Sequence, residues 1–112
     1  MGTFKVVMVG DANLTHANLT NADLWFVNLT DATLTDATLS GALMSNANLS
    51  NANLTNANLS DANLSNANLS FADLQGATGL TAAHMAGATY FYTICPDGTV
   101  TGPTAGSSCS LT

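Results

Sequence analysis

Residues 11–75 read DANLT HANLT NADLW FVNLT DATLT DATLS GALMS NANLS NANLT NANLS DANLS NANLS FADLQ, one five-residue register carried unbroken through thirteen pentads. The fourth place of each pentad is Leu, or once Met44, and the second is Ala, or once Val27. The third place is usually Asn or Asp, as at Asn13, Asn18, Asp23 and Asn28, and the fifth is usually Thr or Ser. A short fixed period is the mark of a stacked architecture, in which each unit buries its apolar side chains against its neighbours.

A helix cannot use this period. At about 100° per residue, a five-residue step turns each Leu by about 140° and spreads the apolar set around the whole cylinder. A long strand fails as well, because an odd period sends successive Leu to opposite faces of the pleat. A short Ala-x-Leu strand followed by a two-residue bend resets the direction every pentad, and stacked coils of such segments place every Ala and Leu inside. The outward Asn and Asp tolerate bent backbone and can hydrogen-bond neighbouring coils.

The motif Ala-(Asn/Asp)-Leu-x-x, as in Asp11-Ala12-Asn13-Leu14-Thr15 and Asn51-Ala52-Asn53-Leu54-Thr55, resembles the pentapeptide-repeat family over thirteen tandem copies. The resemblance implies an all-β fold, a right-handed quadrilateral β-helix with one pentad per side and four per coil. Residues twenty apart then stack at about 4.8 Å, giving core columns such as Leu14, Leu34, Leu54, Leu74 and Leu24, Met44, Leu64. Upstream, Val7 with Val9 and Gly2 with Phe4 fit the inward places of two more pentads. Residues 1–75 are therefore read as the solenoid and 76–112 as a C-terminal capping segment.

In Gly76-Ala77-Thr78-Gly79-Leu80 the large residue arrives one place late. Two readings follow: a shifted register with Ala83, Met85, Ala88 and Tyr90 inward, or a short helix from Ala82 to Ala86 with Thr81 as N-cap and Gly87 as stop. The helix is favoured. Residues 90–100 hold two β-prone stretches around Pro96-Asp97-Gly98 and are expected to form a hairpin-like cap. Cys95 and Cys109 are the two cysteines of the chain, separated by a Gly-, Ser- and Pro-containing segment able to bring them together, so a disulfide is expected. The ending also resembles the Cys-Pro-Asp-Gly-Thr cap of some exported pentapeptide-repeat proteins. The disulfide points to an extracellular or periplasmic location; the alternative is two free thiols in a reducing cytosol.

The chain of 112 residues is 46% apolar and 7% charged, with seven Asp against a single Lys5, no Arg and no Glu. A net charge of -6 supplies no basic footprint for nucleic acid. The longest sustained apolar stretch, Val6 to Val9, is far short of a membrane span or a signal peptide. Val6 stands where a myristoylation motif wants Ser or Thr.

His16 and His84 are the candidate bases for catalysis and belong to no catalytic motif; both read as surface residues. There is no zinc spacing, phosphate loop or EF-hand pattern, so no catalytic residue, metal or cofactor is expected. Eight Asn-Leu-Thr/Ser sequons are by-products of the repeat.

Two places break the polar surface. Phe4, Val6, Val7 and Val9 lie at the edge of the first coil, where an unpaired strand edge favours end-to-end association as a closed dimer or an open filament. Trp25 with Phe26, and Phe71 on another side, are outward aromatics and candidate contacts. The leading reading is a non-enzymatic, self-assembling structural solenoid. The alternatives are a protein-binding module and, by the family resemblance, a DNA mimic that binds gyrase. Mimicry needs dense carboxylates, whereas the column Asp11, Asp31 continues as Asn51 and Phe71.

Overall fold

The computed structural model describes residues 10–104 and 107–111. The candidate interface residues Phe4, Val6, Val7 and Val9 lie outside them. Parallel bridges join residues twenty apart along four sides: Asn13–Thr33–Asn53–Asp73, Asn18–Thr38–Asn58–Thr78, Asp23–Leu43–Asn63 and Asn28–Asn48–Asn68. Four pentads thus make one coil. Each side is a stack of single bridges, with no longer strand among the described residues, because the chain bends after every third residue. On a typical rung the Thr33 N–H donates to Ala12 O at 2.9 Å, and the Leu14 N–H donates to Thr33 O at 2.7 Å.

The corners follow one recipe. The carbonyl of each Leu accepts from the N–H three residues on, as Leu54 O does from Ala57 at 3.0 Å. The first residue of each pentad has positive φ, for example Asn51 at 61° and Asn56 at 60°, the conformation that favours Asn and Gly in the third place of a turn. Its N–H also joins the ladder: Asn51 donates to Ser70 O at 2.9 Å.

The outward Asn of the third place does something other than bridge coils. Its Oδ1 accepts from the backbone and hydroxyl two residues on, at 3.1 and 2.7 Å for Asn58 and Ser60 and at 3.0 and 2.6 Å for Asn63 and Ser65. These bonds stay inside one pentad and hold the bend, which explains the Thr or Ser in the fifth place.

Inside, the Ala and Leu positions from Leu24 to Leu74 are buried, while Ala12, Leu14, Leu19 and Ala22 at the N-terminal end are only partly so. Complete burial contributes about 1.5–3 kcal/mol per Leu, so the central coils carry most of the stabilisation.

Beyond Gln75 the ladder runs on with one extra residue. Asn58 still pairs with Thr78, but Asn68 pairs with Thr89 and Asp73 with Ile94, twenty-one apart. The insertion is taken up between Gly79, at φ +84°, and a 3-10 turn at Ala83–Met85. The two readings of this stretch merge: there is a helical turn, and Met85 and Tyr90 are inward and buried. The turn is shorter than the expected helix over 82–86. Ala86 already has ψ 127°, extended backbone that ends the turn and lets Leu64 and Asn66 donate to the carbonyls of His84 and Ala86 on the ladder at 2.8 and 2.9 Å. Ala82 takes the N-cap place without a side-chain cap, and Thr81 Oγ1 accepts from the His84 N–H at 3.4 Å.

On the last rung Thr93 and Cys95 replace Ala and Leu as the inward pair, both buried. Thr93 is satisfied: its hydroxyl donates to Leu69 O at 2.6 Å and accepts from the Phe91 N–H at 3.2 Å. Ile94 bridges antiparallel to Val100 around the turn closed by Gly98 N–H to Cys95 O at 2.8 Å. Asp97 in this turn accepts from the Thr99 hydroxyl and N–H at 2.6 and 3.0 Å, bonds that hold its carboxyl below the ordinary Asp value.

A disulfide joins Cys95 to Cys109 with Cα atoms 5.5 Å apart. It lays the tail across the last coil, where Leu111 packs on the core. Replacing Cys109 by Ala is expected to lower stability by about 3 kcal/mol for a loop of this size. In hydrogen exchange the Cys95 and Thr101 amides should lose protection while that of Asn53, mid-rod, keeps it. Equal loss along the whole rod would show that the bridge does more than hold the cap.

Candidate functional site

The surface is a lattice of Asn, Thr and Ser, so a site must lie where the repeat is broken. Trp25 and Phe26 share one corner, 45% and 60% exposed, with ring centroids 6.2 Å apart. Phe71 is on the adjacent corner, in the column Asp11, Asp31, Asn51. It does not stand alone. The register shift brings Phe91 and Tyr92 to the same corner of the next coil, where the Phe71 N–H donates to Phe91 O at 2.8 Å. The three rings form a triad: Phe71 stacks on Tyr92 at 5.8 Å, and Phe91 meets Phe71 and Tyr92 edge-on at 5.7 and 5.1 Å.

This triad joins further apolar surface. Ile94 follows outward on the next side, and Val100, on the outer strand of the hairpin, lies beside it. Phe91, Tyr92 and Val100 were not singled out from sequence as surface residues. Counting twenty from Phe71 puts Phe91 at the corner, whereas the inserted residue moves Tyr92 there.

The titratable groups are dispersed. His16 Nδ1 lies 3.7 Å from Asp36 Oδ2 on an exposed corner, an arrangement worth little in water. His84 Nδ1 is 3.0 Å from Thr81 Oγ1. Among the described residues no three His, Cys, Asp or Glu side chains gather as metal ligands. One shallow depression of about 210 Å³ lies between the last coil and the tail, bordered by Leu80, Pro96, Asp97 and Leu111. No helix among the described residues is long and apolar enough to cross a membrane.

Comparison with known proteins agrees with this geometry. The model of the family described as pentapeptide repeats matches residues 10–46 and 42–78. Among solved structures, a pentapeptide repeat protein (Rfr23) from the cyanobacterium Cyanothece 51142 is 37% identical with a TM-score of 0.70, over 75% of this chain and 58% of its own. HetL, a pentapeptide repeat protein involved in heterocyst differentiation regulation in the cyanobacterium Nostoc, is 35% identical with a TM-score of 0.52, over 81% of this chain and 41% of its own. QnrB1, a plasmid-mediated fluoroquinolone resistance protein, shares the fold at 16% identity and a TM-score of 0.52, over 80% of this chain and 50% of its own. The chain thus spans about half the length of these relatives. A search of curated proteins finds no significant match. With its twenty-residue coils, its Leu columns and these matches, the chain is a right-handed β-helical solenoid and belongs to the pentapeptide-repeat family.

Proposed function

We propose that the protein is a non-enzymatic solenoid scaffold that associates through its N-terminal end, in an oxidising extracellular or periplasmic setting. The observation that carries this reading is the difference between its two ends. At the C-terminal end Leu80, Met85 and Tyr90 are buried and a disulfide holds the tail over them. At the other end Leu14 and Leu19 are partly exposed, and the backbone N–H and C=O of Asn13 and Asn18 have no partner among the described residues. An unpaired, partly apolar edge favours strand addition. With one end covered, pairing of like ends gives a closed two-fold dimer rather than a filament. The disulfide supports the compartment. The gyrase-mimic reading draws no support from the charges, since Asp31, Asp36 and Asp61 sit on three different corners.

Light scattering coupled to chromatography over a range of concentrations is expected to give twice the chain mass, falling to one chain for Val7→Asp with the far-UV spectrum unchanged. A wild type that stays monomeric at all concentrations would remove the assembly reading and leave the fold as it is.

A further inference from the structure

We propose that the depression between Ala77 and the tail is a binding site for the amino-terminal end of an extended peptide, with a small residue first and an apolar residue third. It lies where the solenoid omits one rung. At the repeat corners positive φ falls on the first residue of the pentad, as at Asn56 (60°) and Phe71 (61°). The corner after Cys95 closes with the usual bond, Gly98 N–H to Cys95 O at 2.8 Å, but positive φ falls one place later, on Gly98 at 87°. The chain therefore folds back along its own side as the hairpin instead of going on to the next. Thr99, whose N–H a further rung would aim at Ala77, donates to Asp97 Oδ1 at 3.0 Å.

The omitted rung leaves hydrogen-bonding groups open. On this side each Ala carbonyl accepts from the coil above: Ala17 from Thr38 and Ala37 from Asn58 at 2.9 Å, Ala57 from Thr78 at 3.0 Å. Each fourth-place N–H donates to the same residue above, Leu19 to Thr38 and Leu39 to Asn58 at 2.7 Å, Leu59 to Thr78 at 2.8 Å. Next in these series are Ala77 O and Gly79 N–H, and neither has a partner among the described residues. Both residues line the depression of about 210 Å³. Ser110 and Leu111 border it from the tail and make no backbone hydrogen bond to the coils. One residue laid parallel above Thr78 would donate to Ala77 O and accept from Gly79 N–H.

The neighbours of that residue point inward. The buried column Ala37, Ala57, Ala77 calls for a small side chain before it, and Leu80 with Leu111 offers apolar contact to the one after it. Chain cannot precede the small residue in register, because the room above Asp73 is already filled by Ile94. The same obstruction keeps out the coil of a second rod. The occupant is therefore a chain end, and its direction brings the amino group to Asp97. Pro96 O accepts from Gly76 N–H at 3.0 Å, so Asp97 stands where the omitted rung would begin. Its Oδ1 is taken by the Thr99 hydroxyl and N–H, while Oδ2 has no partner among the described residues. A free α-ammonium group complements this carboxylate, and a blocked end does not.

The test is the peptide Ala-Thr-Leu-Thr, with a free amino end and an amidated carboxyl end, titrated into the intact oxidised protein and followed by amide NMR. Saturable shifts are expected at Gly79, Asp97 and Ser110, with the Asn53 amide unmoved. Methylating the nitrogen of the peptide's first Thr, the donor to Ala77 O, should weaken binding about fivefold or more, and acetylating the amino end about tenfold or more. Asp97→Asn should weaken the free-ended peptide as acetylation does, and the acetylated peptide should lose nothing further on that variant. Ser110→Trp, at an exposed place on the rim, should fill the depression and abolish the shifts. Absence of saturable shifts at millimolar peptide, equal binding of the acetylated peptide, or undiminished binding by Ser110→Trp overturns the proposal. A change of oligomeric mass in Ser110→Trp also overturns it, by making the depression a contact between copies. Because this site and the N-terminal edge are at opposite ends, Val7→Asp should leave the titration unchanged, so either reading can fail without the other.

Discussion

Leu54→Ala is expected to lower the unfolding free energy by about 2–5 kcal/mol, a large fraction of what holds a domain of this size together. Leu54 is fully buried and sits in the column of Leu34 and Leu74. In an ordinary core, neighbours relax into the space left by a truncated side chain. Here the spacing of the coils is fixed by backbone bonds above and below, Leu54 N–H to Asp73 O at 2.7 Å and Leu34 N–H to Asn53 O at 2.6 Å. Leu34 and Leu74 cannot close the gap without breaking rungs, so the cavity persists and its full penalty is felt. Leu14→Ala, in the same column but partly exposed at the open end, should cost markedly less. Urea denaturation of both variants checks the pair; equal losses would mean that the coil spacing does not govern the cost.

The same rigidity explains what could be read from sequence. A five-residue period admits one simple buried arrangement, so the inward Ala and Leu were legible from the Ala-x-Leu pattern, while the four-pentad coil and its Leu columns came from the resemblance to the pentapeptide-repeat family. The Pro96-Asp97-Gly98 turn and the Cys95–Cys109 pair were legible because turn chemistry and cysteine count are local signals. What was missed follows from a shift of one residue, which the sequence offered as the less favoured of two readings and which was not carried on to the corner residues. Gly79 and the turn at Ala83–Met85 advance the register, so Tyr92 rather than Phe91 takes the corner place. The aromatic triad cannot be assembled until that shift is known. The outward Asn was misjudged for a different reason: period shows that it faces out, but not that its Oδ1 turns back to its own pentad rather than across to the next.

Departures from the repeat carry the functional information. An ideal pentad presents a neutral amide and hydroxyl surface that recurs on every side and can single out no partner. Trp25, Phe26, Phe71 and Tyr92 replace that surface with aromatic rings. Of these, Phe71 and Tyr92 are joined by Phe91 in one cluster of rings. Asn reaches positive φ at low cost, so the backbone angle alone does not call for rings at these corners.

Gly79→Ala should be the most damaging single-methyl addition in the molecule. Gly79 has φ +84°, and a Cβ there would lie 2.5 Å from Ser60 Cα and 2.6 Å from Ser60 N. Those are backbone atoms of the coil below, locked in place by the ladder, so no side-chain rotation can relieve the contact. Backbone strain of about 1–3 kcal/mol adds to an overpacking penalty of about 1–3 kcal/mol. The expected result is a cap that no longer docks, seen as lost amide protection at Met85, Thr89 and Ile94 while mid-rod amides such as that of Asn53 stay protected. Gly41→Asn supplies the control. Its φ is +68°, but the nearest atom to an added Cβ is Asn21 Oδ1, the end of a side chain that can swing away, and Asn occupies the equivalent corner at Asn46, Asn51 and Asn56. Its stability should stay within about 0.5 kcal/mol of wild type. Gly79→Asn separates the two causes: Asn tolerates the backbone angle yet still carries the Cβ, so a defect as large as that of Gly79→Ala assigns the effect to the clash with Ser60, and a rescue assigns it to φ.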